Sequence, residues 1–362
     1  MRVIIRPSAT GYTVPAELQF KQGNQTAISS FLTPTKGTTF FATNQLLTLL
    51  VLKVQIDEGT ATLPVGKSMA YLNTACNAIQ KRLPDIYTQA AVPLIAAWGN
   101  HCNYCGTPLL GLAEVEHTVP KSQYPSFSLE WNNFLLSCGP CNTQKSAKPD
   151  RATVRGWIGK PNPTPAEFYQ SIRQNHYYWP DLDKGAFWNM WPKLQAWDTT
   201  NSKWVDLPKA QASNLNNTLL SQNIMTRQVQ GRVDNGSGGT MDVYLQCVVD
   251  DTSDANALAM VDLLGLNKTS DPSTTYDRRV YNRTIAWLNA CTIIRHYLAA
   301  KGTPAETTYL TMCKHLASSM GFYDVWMMLI WDNCSAADAK TFATALNSEG
   351  FFPGSNISVM FS

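Results

Sequence analysis

Two Cys-x-x-Cys pairs, Cys102-Asn103-Tyr104-Cys105 and Cys138-Gly139-Pro140-Cys141, constrain this chain more than anything else in it. Each such turn aims two thiolates at one point, and two turns together complete a closed tetrahedron around a single zinc ion. A closed site has no open coordination position, so zinc at Cys102, Cys105, Cys138 and Cys141 is expected to hold the fold and take no part in a reaction. Chemistry would then fall to a second, harder metal bound by oxygen and nitrogen ligands. Glu116, His117 and Asn142 are the candidates to supply that site. Asn142 directly follows Cys141, so the zinc staple would fix where its amide oxygen points.

The block Glu116-His117-x-x-Pro120, Asn133 five residues before a Cys, and Cys138-x-x-Cys141-Asn142-x-x-Lys145 resemble the HNH endonuclease family. The resemblance implies a two-stranded hairpin packed on a helix around one divalent metal. Carried over by position, it implies His117 as general base and Asn133 as the central Asn that holds the metal loop in shape. Asn142 would be the metal ligand at the final motif position, with Glu116 the acidic ligand beside the base. The final position is often His in this family, and Asn keeps an oxygen ligand there. The longer run Val115-Glu116-His117-x-x-Pro120-Lys121-x-x-Tyr124-Pro125, with Trp131-x-Asn133 and Leu136-Ser137-Cys138, looks like the HNH subunit of Septu-type bacterial anti-phage systems. Segments 259–267 with Arg278 and Arg279, 321–327 and 351–354 are similar, in order, to the region C-terminal to the nuclease module in that subunit. The implied protein is an anti-phage effector, restrained or directed by a partner such as an ATPase.

The implied mechanism rests on charge. Water attacking a phosphodiester builds negative charge on the phosphorus oxygens and the leaving oxygen, which a divalent cation offsets while a base takes the water proton. His117 suits the base because neutral imidazole is available near physiological pH. The Glu116 carboxylate and Asn142 amide suit Mg²⁺ or Mn²⁺. Lys121 and Lys145 are candidate phosphate contacts, and the expected product carries a 5′-phosphate and a 3′-hydroxyl. DNA is the expected polymer, with RNA left open. Two rival readings stand beside this one: a zinc-ribbon adaptor that binds nucleic acid or protein without turnover, and an HNH-type ribonuclease toxin. The intact acid-His-Asn-Asn set favours an enzyme. His101 reads as ordinary or as a phosphate contact, since four Cys already fill the zinc.

Composition bears on the partners. A net charge of +3 over 362 residues argues against a surface coated by DNA throughout, so binding would have to be local. Nine cysteines leave Cys76, Cys247, Cys291, Cys313 and Cys334 outside the cluster, an odd and scattered remainder that fits free thiols in the cytoplasm. Residues 1–7 lack the apolar run of a signal peptide, and the stretches 46–52 and 325–331 are too short to span a bilayer.

The expected fold class is α+β and predominantly helical, with the ββα-metal module embedded between helical segments. Four regions are expected: a mixed segment over 1–94, the nuclease module over 95–160, an aromatic-rich linker with a small α/β segment over 161–250, and a helical region over 251–362. Residues 1–65 read as irregular coil and short strands with one apolar segment, Leu46–Ile56. Apolar spacing over Met69–Trp98, interrupted by Pro84 and Pro93, predicts two or three helices. Glu114–His117 should be a strand, and 139–147 the helix that carries Asn142. Capping boxes at Thr164–Glu167 and Thr303–Glu306 predict helix starts, the first running over 165–175. Trp179, Trp188, Trp191, Trp197 and Trp204 read first as a satellite core or partner interface, and second as a stacking platform for bases. Residues 234–239 mark a hairpin tip before a strand over 241–249. Helices should follow over 253–265, from about 275 to 300, up to Gly321, and over 336–348. Arg278, Arg279 and Arg283 form a candidate phosphate clamp, or equally a solvated helix face.

Overall fold

Leu46, Leu49 and Leu50 recur at the three- and four-residue spacing that gathers side chains on one helix face, and all three are buried. The computed structural model describes residues 1–2, 4–111, 113–182, 190–198, 203–206, 215, 231–234, 240–248, 253–268 and 277–360. Its first part pairs strands β1 (Glu17–Gln19) and β2 (Phe40–Ala42) around helix α1 (Gln22–Ser29), before helix α2 (Thr43–Asp57). Residues 1–65 thus hold two helices, where coil and short strands were expected. Helix α2 covers the apolar segment at Leu46–Ile56, where five Leu favour a helix despite the surrounding Thr and β-branched residues.

Helix α3 (Met69–Arg82) buries Leu72, Ala75, Cys76 and Ile79 on one face. Pro84 occupies the first turn of α4 (Pro84–Tyr87), where its missing N–H is no loss. Pro93 does not break the chain, because it falls in the first turn of α5 (Ala91–Trp98). Gly99, at φ +75°, ends α5 and turns the chain into the first cysteine pair.

Strand β3 (Glu114–His117) pairs antiparallel with β4 (Phe134–Ser137), in a register that sets Glu116 opposite Leu135 and His117 opposite Phe134. Helix α6 (Gly139–Lys145) comes directly after β4, so residues 114–145 run in the order strand, strand, helix. Helices α7 (Arg151–Ile158) and α8 (Pro165–Gln170) continue the chain, and α8 opens on the predicted Thr164/Glu167 capping box before passing into a wide turn over Ser171–Asn175. A four-stranded antiparallel sheet of order β6-β5-β8-β7 uses β5 (Trp191–Asp198), β6 (Lys203–Asp206), β7 (Gly231–Asp234) and β8 (Thr240–Val248). Trp188 and the tip at 235–239 lie outside the described residues. Trp197 and Trp204 are register partners, and Trp179 is fully buried against Tyr177 and the Arg173 guanidinium.

The C-terminal helices are α9 (Ala255–Leu264), α10 (Arg279–Ala300), α11 (Glu306–Met320), α12 (Tyr323–Asn333), α13 (Ala336–Ser348) and α14 (Ile357–Met360). The Ser335/Asp338 box caps α13. The expected Thr303 box does not form. Glu306 instead accepts from the Gly302 amide, and α11 begins without a side-chain cap. Every residue from Tyr323 to Ile330 is buried, which makes α12 the central helix of this region. One apolar core runs from Ile4 through Trp98 and Phe134 to Trp326 and Phe352. Among the described residues no helix is long and apolar enough to cross a membrane.

Candidate active site and thiol cluster

Asn103, between the first two cysteines, explains why the two cysteine pairs meet. Its amide N–H donates to the Leu136 carbonyl at 2.9 Å, and its side-chain oxygen accepts from the Leu136 amide at 2.7 Å. The first turn is thus bonded to β4 two residues before Cys138. Gly106 N–H closes the turn on the Cys102 carbonyl at 2.9 Å. All four sulfurs lie within 4.8 Å of one another and are buried. Four sulfurs about 2.3 Å from a common zinc would stand roughly 3.8 Å apart, and Cys105 and Cys138 stand 3.6 Å apart. The donor set and its spacing fit a thiophilic metal.

Glu116 and His117 are adjacent at the end of β3, and both border the same cavity. Glu116 is buried with both oxygens engaged: Oε1 faces the Lys145 ammonium at 2.7 Å, and Oε2 accepts from the His117 amide at 2.6 Å. Lys145 also donates to the His117 carbonyl at 2.7 Å. Its side chain is 0% exposed, so the phosphate contact expected of Lys145 is replaced by a buried ion pair. Burial pulls its pKa below the ordinary lysine range, with Glu116 working against that shift.

The His117 ring packs edge-on against Tyr87 and Phe134, with centroids 4.7 and 5.1 Å away. Its Nε2 lies 2.9 Å from the Ser128 carbonyl. A carbonyl only accepts, so Nε2 carries the proton and Nδ1 is left as the basic nitrogen. Burial first, and then the nearby Lys121 charge, push the imidazolium pKa down to about 3. The ring is therefore neutral throughout the physiological range.

Asn133 does not line the cleft. Fully buried, it accepts from Thr118 Oγ1 and the Val119 amide, both at 2.7 Å, and donates to the Val119 and Phe127 carbonyls at 2.9 and 3.0 Å. These four bonds tie the loop after β3 to the start of β4. Asn142, on α6, donates its Nδ2–H to the Glu114 carboxylate, which leaves Oδ1 for another partner. Glu114 was missed by sequence reasoning, although its place two residues before Glu116 on one strand was a usable signal. Glu116, His117, Lys121 and Asn142 line a common open cavity of about 360 Å³. Lys121 is exposed at its rim, 4.8 Å from the centre of the Tyr87 ring.

Other sequence candidates fall away from this cleft. His101 bonds the Ser318 carbonyl at 2.7 Å and packs on Phe352, and burial followed by Arg2 lowers its pKa to about 4, so it is a core histidine. Arg279 and Arg283 are buried, and only Arg278 of that trio is exposed, so the three form no phosphate clamp.

Residues 102–148, the segment holding both cysteine pairs, β3, β4 and α6, match the HNH endonuclease family. Over 55 residues the chain is 40% identical to the Septu protein PtuB of Bacillus thuringiensis, a stretch covering 14% of this chain and 21% of that relative. The chain thus aligns with about a fifth of the relative's length. No solved structure matches the chain.

Proposed function

We propose that this protein is a divalent-metal HNH endonuclease that hydrolyses phosphodiester bonds of DNA. Its ββα-metal module would occupy about 95–160, between segments 1–94, 161–250 and 251–362, with structural zinc at the four cysteines and Mg²⁺ or Mn²⁺ at Glu116 and Asn142. What carries the reading is that Glu116, His117 and Asn142 line one open cleft, with Asn142 one residue from the thiol cluster. Glu116 and Asn142 would hold the divalent cation, whose positive charge would offset the negative charge that develops on a cleaved diester. His117 takes the proton of the attacking water at Nδ1, because Nε2 is committed to Ser128. Asn133 acts at one remove, by holding the loop that comes after the base. Glu114 turns the Asn142 amide so that its oxygen faces away from the carboxylate. Lys121, exposed at the cleft rim, is placed to meet a flanking phosphate. Similarity to the Septu protein supports a role in defence, and the reading extends to an anti-phage effector in the cytoplasm that works with a protein partner such as an ATPase.

The test is incubation of the full chain with supercoiled plasmid, single-stranded DNA and total RNA, in Mg²⁺, Mn²⁺ or EDTA, beside His117→Ala matched for zinc content. Metal-dependent DNA cleavage that the variant lacks is the expected result. Equal cleavage by both proteins would remove His117 from the base role. Cleavage of RNA alone would favour the ribonuclease, and no cleavage of any polymer, with or without the partner, would favour the adaptor.

A further inference from the structure

Arg279 opens α10, 138 residues beyond Cys141 in sequence, yet its Nη1 lies 3.1 Å from the Cys141 sulfur. The guanidinium is 2% exposed. All five of its N–H donors are used. Nε donates to Asp277 Oδ1 at 2.9 Å, Nη2 to Asp277 Oδ2 at 2.8 Å and to the Gly265 carbonyl at 3.0 Å, and Nη1 to the Leu264 carbonyl at 2.7 Å as well as to the sulfur. A guanidinium is a rigid planar fork, so four oxygen acceptors fix its orientation and the fifth donor can point only at Cys141. A lysine at this position would bring the charge without the geometry.

We propose that Arg279 is the outer-sphere donor of the thiol cluster, a positioning residue that draws charge from the Cys141 thiolate and so governs how firmly the cluster keeps its metal. The inference rests on the proposed metal at the four cysteines. Four thiolates around a divalent cation carry two net negative charges in a buried setting, which is costly unless donors offset it. Arg279 delivers such a donor from outside the HNH module. Its own acceptors are the end of α9 and the residue Asp277 just before α10, so the helical region holds the donor in place. Because Cys141 adjoins Asn142, whatever fixes the Cys141 sulfur also steadies the proposed ligand of the catalytic metal.

The experiment uses full-length protein loaded with Co²⁺ in place of zinc, comparing wild type with Arg279→Met and Arg279→Lys. Loss of an N–H donor raises the energy of the sulfur electrons, so the sulfur-to-cobalt charge-transfer band should move to longer wavelength in Arg279→Met. Metal extraction by a chelator should accelerate about 10- to 100-fold, the usual cost of losing an outer-shell partner. Arg279→Lys should show a smaller shift in the same direction, and it carries the test alone if Arg279→Met fails to fold. An unmoved band overturns the proposal even if extraction speeds up, because looser packing alone would speed extraction. A wild-type protein that binds cobalt with no thiolate band would instead overturn the metal reading of the cysteines, and Arg279's role with it.

Discussion

Lys145 is buried against a carboxylate that is also proposed to hold a cation, and that double duty has a measurable consequence. Glu116 is 4% exposed, so Lys145→Met would leave a buried carboxylate with no counter-charge. Breaking one side of a buried pair costs about 3–5 kcal/mol, and that loss is expected in urea unfolding with EDTA present. Mn²⁺ should restore part of it, because a cation bound at Glu116 replaces the missing charge and binds only the folded state. An equal loss with and without Mn²⁺ would mean that Glu116 does not face the metal site. Lys121 and Lys145 also mark the limit of sequence reading. Both sit close to the motif, and only the packing of α6 on β3 decides that one is a rim cation and the other a buried strut. The family resemblance pointed to His117, Asn133 and Asn142, and the fold brings His117 and Asn142 to one cleft while Asn133 braces the loop beside it. Arg279 was not legible in the sequence, since its acceptors lie at Cys141 and at Leu264–Gly265, far from it along the chain.

Element by element, legibility depends on how local the cause is. Strand β3 and helix α6 could be read because the motif dictates them. Helix α8 could be read because Thr164 and Glu167 cap it reciprocally within four residues. The same pattern at Thr303 forms no box, and Glu306 accepts from the Gly302 amide instead. Nothing local shows how α12 is seated, and this depends on two glycines facing each other across the fold. The Phe322 amide donates to the Gly106 carbonyl at 2.9 Å, just beyond the first cysteine pair. Gly321 has φ +74°, and a Cβ added there would stand 2.2 Å from that carbonyl oxygen. Gly321→Ala should therefore force α12 away from the cysteine turn, at a cost of about 3 kcal/mol from strain and overpacking combined. The expected readout is a lowered urea midpoint together with faster chelator extraction of metal. A midpoint unchanged from wild type would show that the turn and the helix are not coupled.

Across the whole molecule, Asp181 joins parts that are remote in sequence. Its Oδ2 accepts from Arg6 Nε at 2.8 Å and from Arg173 Nη2 at 2.6 Å, while Arg6 Nη1 donates to the Trp131 and Phe134 carbonyls at 3.0 and 2.9 Å. The N-terminal segment, the start of β4 and the turn after α8 are thus held by one carboxylate whose side chain is 0% exposed. Burial opposes its ionisation, but Arg173 and then Arg6 outweigh it and keep the Asp181 pKa below the ordinary carboxylate value. A carboxyl with a depressed folded pKa binds fewer protons than the unfolded chain does, so its stabilisation is complete above about pH 4 and fades as pH falls through the folded value. Asp181→Asn keeps the shape, removes the charge, and leaves two guanidiniums poorly compensated, at a cost of about 3–5 kcal/mol near pH 7. Urea midpoints of wild type and Asp181→Asn, measured from pH 7 to pH 3, should be far apart at neutral pH and converge below about pH 4. A gap that stays constant to pH 3 would mean that the Asn variant loses packing, not charge, and that the three segments are joined by shape alone.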